Sequence, residues 1–114
     1  MNTVQTGNYG ENLACEYLSE NGYTILKRNY RAANGEIDII AKIGGKLCFV
    51  EVKTRKNTDY GYPADAVNYQ KQQKIIHTAR AFIAQLSDYA EISFDVCEVY
   101  TESKKINYIS NALC

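Results

Sequence analysis

Glu36-Ile37-Asp38-Ile39-Ile40-Ala41-Lys42-Ile43-Gly44-Gly45-Lys46-Leu47-Cys48-Phe49-Val50-Glu51-Val52-Lys53-Thr54 is the stretch that decides the fold. Two apolar-rich runs, 36–43 and 46–54, are separated only by Gly44-Gly45. A glycine pair between strands signals a tight hairpin, because both central turn positions are expected to need positive φ. A loop of this length pairs Ile43 with Lys46. Asp38 then falls opposite Glu51, and Glu36 opposite Lys53. Side chains alternate along a strand, so these four share one face with Ile40 and Phe49. The other face holds Ile37/Val52, Ile39/Val50 and Ala41/Cys48, which is apolar and expected to be buried.

Carboxylates directly opposite each other on a ladder repel, with Cβ atoms about 5 Å apart. Helices flanking the sheet desolvate them further, so one member stays protonated or a divalent cation sits between them. Mg²⁺ suits one or two carboxylates completed by water and phosphate oxygens. Lys53, two residues from Glu51 on the same face, would orient or deprotonate a water there, or stabilise charge on a phosphate. A Glu-x-Lys tripeptide alone is common on solvated strand faces, with Glu36 and Lys53 as an ordinary cross-strand ion pair. Asp38 facing Glu51 inside an apolar hairpin favours the cation, provided no bulge shifts the register.

Outward from the hairpin, the periodicity changes twice. Residues 8–21 predict a helix, with Tyr9, Leu13, Ala14, Tyr17 and Leu18 at helical spacing and Asn21-Gly22 as its stop. Tyr23–Tyr30 reads as a strand, and Asn34-Gly35 as a turn. Residues 55–65 read as a loop, and 66–86 as a helix whose apolar stripe is Ile75, Ile76, Ala79, Phe82, Ile83 and Leu86. Glu91–Tyr100 is a further strand, and a last short one around Ile106–Ile109 is compatible with the pattern. The expected fold is α/β: a central mixed sheet flanked by helices, in the order α-β-β-β-α-β with an optional C-terminal strand.

The chain has 114 residues, 46% of them hydrophobic and 23% charged, which fits one globular domain over 1–114 with its core at about 7–110. Thirteen basic and 13 acidic residues cancel, which argues against a globally basic nucleic-acid coat protein. The charge is nevertheless uneven: residues 27–80 carry 11 basic and five acidic residues, and both ends are acidic. Four cysteines at 15, 48, 97 and 114 have no Cys-x-x-Cys spacing, so zinc is not expected, and Cys48 and Cys97 should be reduced and packed in strands. No signal peptide or membrane-spanning run is legible, and a cytoplasmic protein is expected.

Together, Gly7-x-x-Gly10-Glu11-x-x-Ala14, Gly35-Glu36-Ile37-Asp38, Phe49-Val50-Glu51-Val52-Lys53-Thr54-Arg55, Pro63-x-x-Ala66-Val67 with Lys71, and Phe94-Asp95-Val96 resemble the YraN family of small bacterial proteins, held to be endonucleases. More broadly they resemble the PD-(D/E)xK, restriction-endonuclease-like superfamily and, distantly, archaeal Holliday-junction resolvases. The resemblance implies metal ligands at Asp38 and Glu51, a catalytic Lys53, and Glu11 from the first helix completing the site. Two positions depart: Ile37, not the superfamily's Pro, precedes Asp38, which is usual for the YraN-like branch, and Ser93 stands where that branch often has Arg. Glu11 also has a purely local rationale, since a carboxylate in a helix's first turn is favoured by the helix dipole.

Arg55 and Lys56 leave the strand just after Lys53, and Lys71 and Lys74 lie three apart on the following helix, all placed to hold phosphates. Tyr60 and Tyr62 either stack on unpaired bases or cover the core edge, the latter being preferred. His77 is expected to be exposed and without a role. The function expected is metal-dependent hydrolysis of DNA phosphodiesters by a structure-selective endonuclease, a hydrolase using Mg²⁺ or Mn²⁺. Its partner would be DNA, branched or single-stranded, and a homodimer is compatible with it. Two other readings stay open: a non-catalytic nucleic-acid-binding module retaining the nuclease fold, and a protein-interaction domain.

Overall fold

The glycine pair does close a hairpin. In the computed structural model, which describes residues 3–32, 35–56, 69–86 and 91–112, Ile43 pairs with Lys46 and the ladder continues to Ile39↔Val50. Gly44 takes a φ of 57° and Gly45 does not take a positive value, so only the first turn position is left-handed. The two strands are β2 (Gly35–Ile43) and β3 (Lys46–Arg55). They are preceded by α1 (Thr3–Glu20) and β1 (Thr24–Ala32), and followed by α2 (Tyr69–Ile83), β4 (Glu91–Tyr100) and β5 (Lys105–Ile109).

One mixed sheet in spatial order β1-β2-β3-β4-β5 results. β3 and β4 are parallel over ten pairs, from Lys46↔Glu91 to Arg55↔Tyr100, and the other neighbours are antiparallel. The optional last strand is therefore real. Expected elements that include 33–34, 57–68 and 87–90 lie partly outside the described residues, as do Tyr60, Tyr62 and the start expected for the second helix.

A helix covers each sheet face, as the expected α/β layering requires. Ala14 and Leu18 of α1 pack with Ile39, Ala41, Cys48, Val50, Cys97 and Val99. Ile75, Ala79 and Phe82 of α2 pack with Ile37, Ile40, Leu47, Phe49 and Val96 on the other side. Ring contacts pin α2 down: Phe82 meets Phe49 edge-on at 6.1 Å and Tyr30 at 5.3 Å, and Phe49 stacks on Phe94 at 5.5 Å. Cys48 and Cys97 are buried free thiols, both pushed up to about 12 by burial, as inert core residues should be. Among the described residues no helix is long and apolar enough to cross a membrane.

Two further expectations need correction. Ile37 packs with the α2 layer, not with Ile39 and Ala41. The strict alternation therefore breaks at Asp38. There the β2–β3 ladder has ended, and the Asp38 Oδ2 accepts the Val52 N–H at 2.8 Å. A side chain has replaced a ladder bond, so the strands part at the expected Asp38/Glu51 and Glu36/Lys53 pairs. On the β1 side, Asn29 faces the same position with a φ of 51°. The second correction concerns α1. It starts at Thr3, so Glu11 lies well inside the helix and the dipole rationale for it falls.

Candidate active site

β3 carries Glu51, Lys53 and Arg55 on the side that α2 covers, because alternate residues of a strand share a face. Glu51 is buried. Its Oε1 receives Lys71 Nζ from the first turn of α2 at 2.6 Å and Lys53 Nζ at 3.7 Å. Asp38 arrives from β2 at the point where the strands part. Burial first, then the neighbouring Glu51 carboxylate, pushes the Asp38 carboxyl up to about 7. The Val52 N–H opposes this, while Glu11 and Glu36 add to it. Asp38 therefore feels the Glu51 carboxylate and, more weakly, that of Glu11, although they are far apart in sequence.

Each is held differently. Glu11 is buried, and its Oε1 accepts from Asn29 Nδ2 at 2.9 Å and Arg28 Nε at 3.2 Å. Arg28 also reaches Asn12 Oδ1 at 2.7 Å. The left-handed Asn29 aims its amide at Glu11, a conformation that Asn tolerates better than most residues. α1 can sit this close to β3 because Gly10 has no side chain: a Cβ there would overlap Thr54 Oγ1. Gly35 does the same for α2, where a Cβ would overlap Thr78 Oγ1. Both glycines belong to the motifs quoted above.

The remaining expected residues are spread out. Lys56, Lys74 and His77 are exposed, and Arg55 is half-buried. Glu36 pairs with Arg31 at 3.3 Å on the surface rather than with Lys53, whose backbone partner is Glu98 of β4. Burial, together with the nearby Lys71 ammonium, holds Lys53 below the ordinary lysine value. Burial also works against Lys71, yet its bonds to Glu51 and Lys53 leave it above that value.

Sequence reasoning named Ser93 and Asp95 only as motif positions and did not name Glu98 at all, yet all three are buried polar residues. Asp95 accepts from Ser93 Oγ, Tyr108 Oη and the Asn111 N–H, tying β4 to β5 and the chain beyond it. Glu98 is buried and takes Asn107 Nδ2 at 2.6 Å. Ser93 and Asp95, polar residues alternating with apolar ones in a strand that α helices cover, were the legible signal. Arg28 and Asn29 had none until the fold put them beside Glu11.

These motifs also identify relatives. A family model described as "Uncharacterised protein family UPF0102" matches residues 10–99. The chain belongs to the UPF0102 family. A UPF0102 protein of Clostridioides difficile (strain 630) is 46% identical over 113 residues, which is 98% of this chain and 99% of that one. One from Caldicellulosiruptor bescii is 48% identical over 118 residues, with the same coverage. UPF0102 is the family that the sequence motifs resemble under the name YraN. Among solved structures, SfsA of Pyrococcus furiosus in complex with Ca²⁺ is similar at a TM-score of 0.39 and 17% identity. This UPF0102 chain is covered over 94% of its length and spans 62% of that one.

The donor set suits a hard divalent cation. Among the described residues no three His, Cys, Asp or Glu side chains form a ready cluster for a metal ion. A cation would therefore rest on Asp38 and Glu51, with water completing its shell, which is how Mg²⁺ is usually held. The Asp38 carboxyl is raised by burial first and by the neighbouring Glu51 second, which is what a desolvated carboxylate pair produces.

A stability test follows from that carboxyl. Folded Asp38 keeps its proton to about pH 7, whereas the unfolded side chain releases it near 3.8. The native state therefore binds more protons between these values, and its stability falls as pH rises through 7. Discounted for solvent access, the loss should be about 2 kcal/mol. Asp38→Asn, which cannot titrate, should lose that pH dependence in urea denaturation at about pH 5 and pH 8. Identical profiles for both proteins would refute the assignment.

Proposed function

We propose that this protein is a metal-dependent phosphodiesterase acting on DNA, a structure-selective endonuclease of the PD-(D/E)xK kind. One observation carries this reading: Asp38 and Glu51 share a desolvated site in which the Asp38 carboxyl rises to about 7, with a lysine at 3.7 Å from Glu51. Asp38 and Glu51 would hold Mg²⁺ or Mn²⁺. Such an ion polarises a scissile phosphate and lowers the pKa of a water. Lys53, kept in place by β3, orients the attacking water or stabilises charge gathering on the phosphate. Glu11 adds negative charge behind Asp38 without giving up its own bonds to Arg28 and Asn29. Arg55, Lys56 and Lys74 would hold flanking phosphates, which fix position rather than sequence.

The test is a panel of branched, nicked and single-stranded DNA with Mg²⁺ or Mn²⁺ and a chelated control. Cutting that needs the metal supports the proposal. A second reading, a nucleic-acid-binding module without catalysis, is favoured by the two lysines that already neutralise Glu51. It is adopted instead if the panel shows salt-sensitive binding and no cutting.

A further inference from the structure

Glu51 Oε1 faces two lysine side chains at once: Lys71 Nζ at hydrogen-bond distance, 2.6 Å, and Lys53 Nζ as a looser ion pair at 3.7 Å. The two lysines differ in freedom. Lys53 lies inside β3, two residues before its end and paired with Glu98, and its side chain is only 17% exposed. Lys71 stands in the first turn of α2 with a side chain 41% exposed. A divalent cation between Asp38 and Glu51 would need the oxygen that Lys71 occupies. Two ammonium charges and a dication around one oxygen repel strongly at low effective dielectric. One group has to leave, and the flexible, more exposed chain is the one that can.

We propose that Lys71 is the resident counter-cation of this site: it holds Glu51 while no metal is bound and yields to a divalent cation, its freed ammonium turning to a phosphate oxygen of the nucleic acid. The proposal rests on the phosphodiesterase reading and adds a competition to it. Metal loading uncovers a phosphate-binding lysine, so metal and DNA favour each other's binding, and by linkage the effect is reciprocal. A lysine that only touched phosphate would leave metal affinity unchanged.

Calorimetric titration of Mn²⁺ into wild type, Lys71→Met and Lys71→Arg, without DNA, separates these cases. Lys71→Met should bind Mn²⁺ tighter than wild type by about 5-fold or more. Lys71→Arg, which keeps the charge, should stay close to wild type. Lys71→Gln carries the same expectation as Lys71→Met should the latter not fold. In thermal melts, Lys71→Met should lose stability without metal and regain most of it with Mn²⁺. Unchanged or weaker Mn²⁺ binding by the neutral variants overturns the counter-cation role and leaves the phosphodiesterase reading standing. Wild type that binds no Mn²⁺ overturns both.

Discussion

Asp38→Ala is expected to lower metal-dependent DNA cleavage by about 1,000-fold or more, an effect of the size that follows loss of a group the metal chemistry depends on. The side chain has two tasks in the structure. It supplies a carboxylate beside Glu51, and its Oδ2 accepts the Val52 N–H at 2.8 Å where the strands part. Alanine removes both, so part of its effect would be structural, because an orphaned backbone donor costs about 1–3 kcal/mol. Asp38→Asn separates the two: it retains an acceptor for Val52 and loses the charge. Both variants should therefore fail to cut, and Asn should keep more of the fold's stability than Ala. Cleavage by Asp38→Ala at the wild-type rate on the same DNA panel would end the assignment.

Phe49→Ala is expected to cost about 3–5 kcal/mol, a large share of the roughly 5–15 kcal/mol that a domain of this size has available. Phe49 is fully buried in the middle strand and touches Phe82 of α2 and Phe94 of β4. Its removal leaves a cavity under α2, the element that delivers Lys71 to Glu51. Urea denaturation should show the loss, and hydrogen exchange should speed up in α2 more than in α1, which packs on the opposite face. A loss below about 1 kcal/mol would mean that the two aromatic contacts do not hold the helix.

Much of this was legible in local rules. A two-glycine loop leaves a hairpin little choice of register, and Ile43↔Lys46 through Ile39↔Val50 followed from it. Helical spacing located Ala14 and Leu18, and Ile75, Ala79 and Phe82, which do face the sheet. The register arithmetic also brought Asp38 near Glu51, although it overran the ladder by three pairs. It failed where a side chain outcompeted the backbone: Asp38 takes the Val52 N–H, and Ile37 changes sides. Alternation rules count residues and cannot register such a substitution.

The sequence by itself determined the elements, their order, the two apolar faces and the pair of carboxylates on the central hairpin, because each depends on neighbours within one or two turns or strands. Only the tertiary structure decided what surrounds that pair. Glu11 is held by Arg28 and Asn29, from 17 and 18 residues further along the chain. Lys71 bonds Glu51 because Phe82, Phe49 and Tyr30 set where α2 lies on the sheet. No spacing rule encodes that docking: it is chosen by the packing of buried side chains, and the charges at the site follow the helix to wherever the packing leaves it.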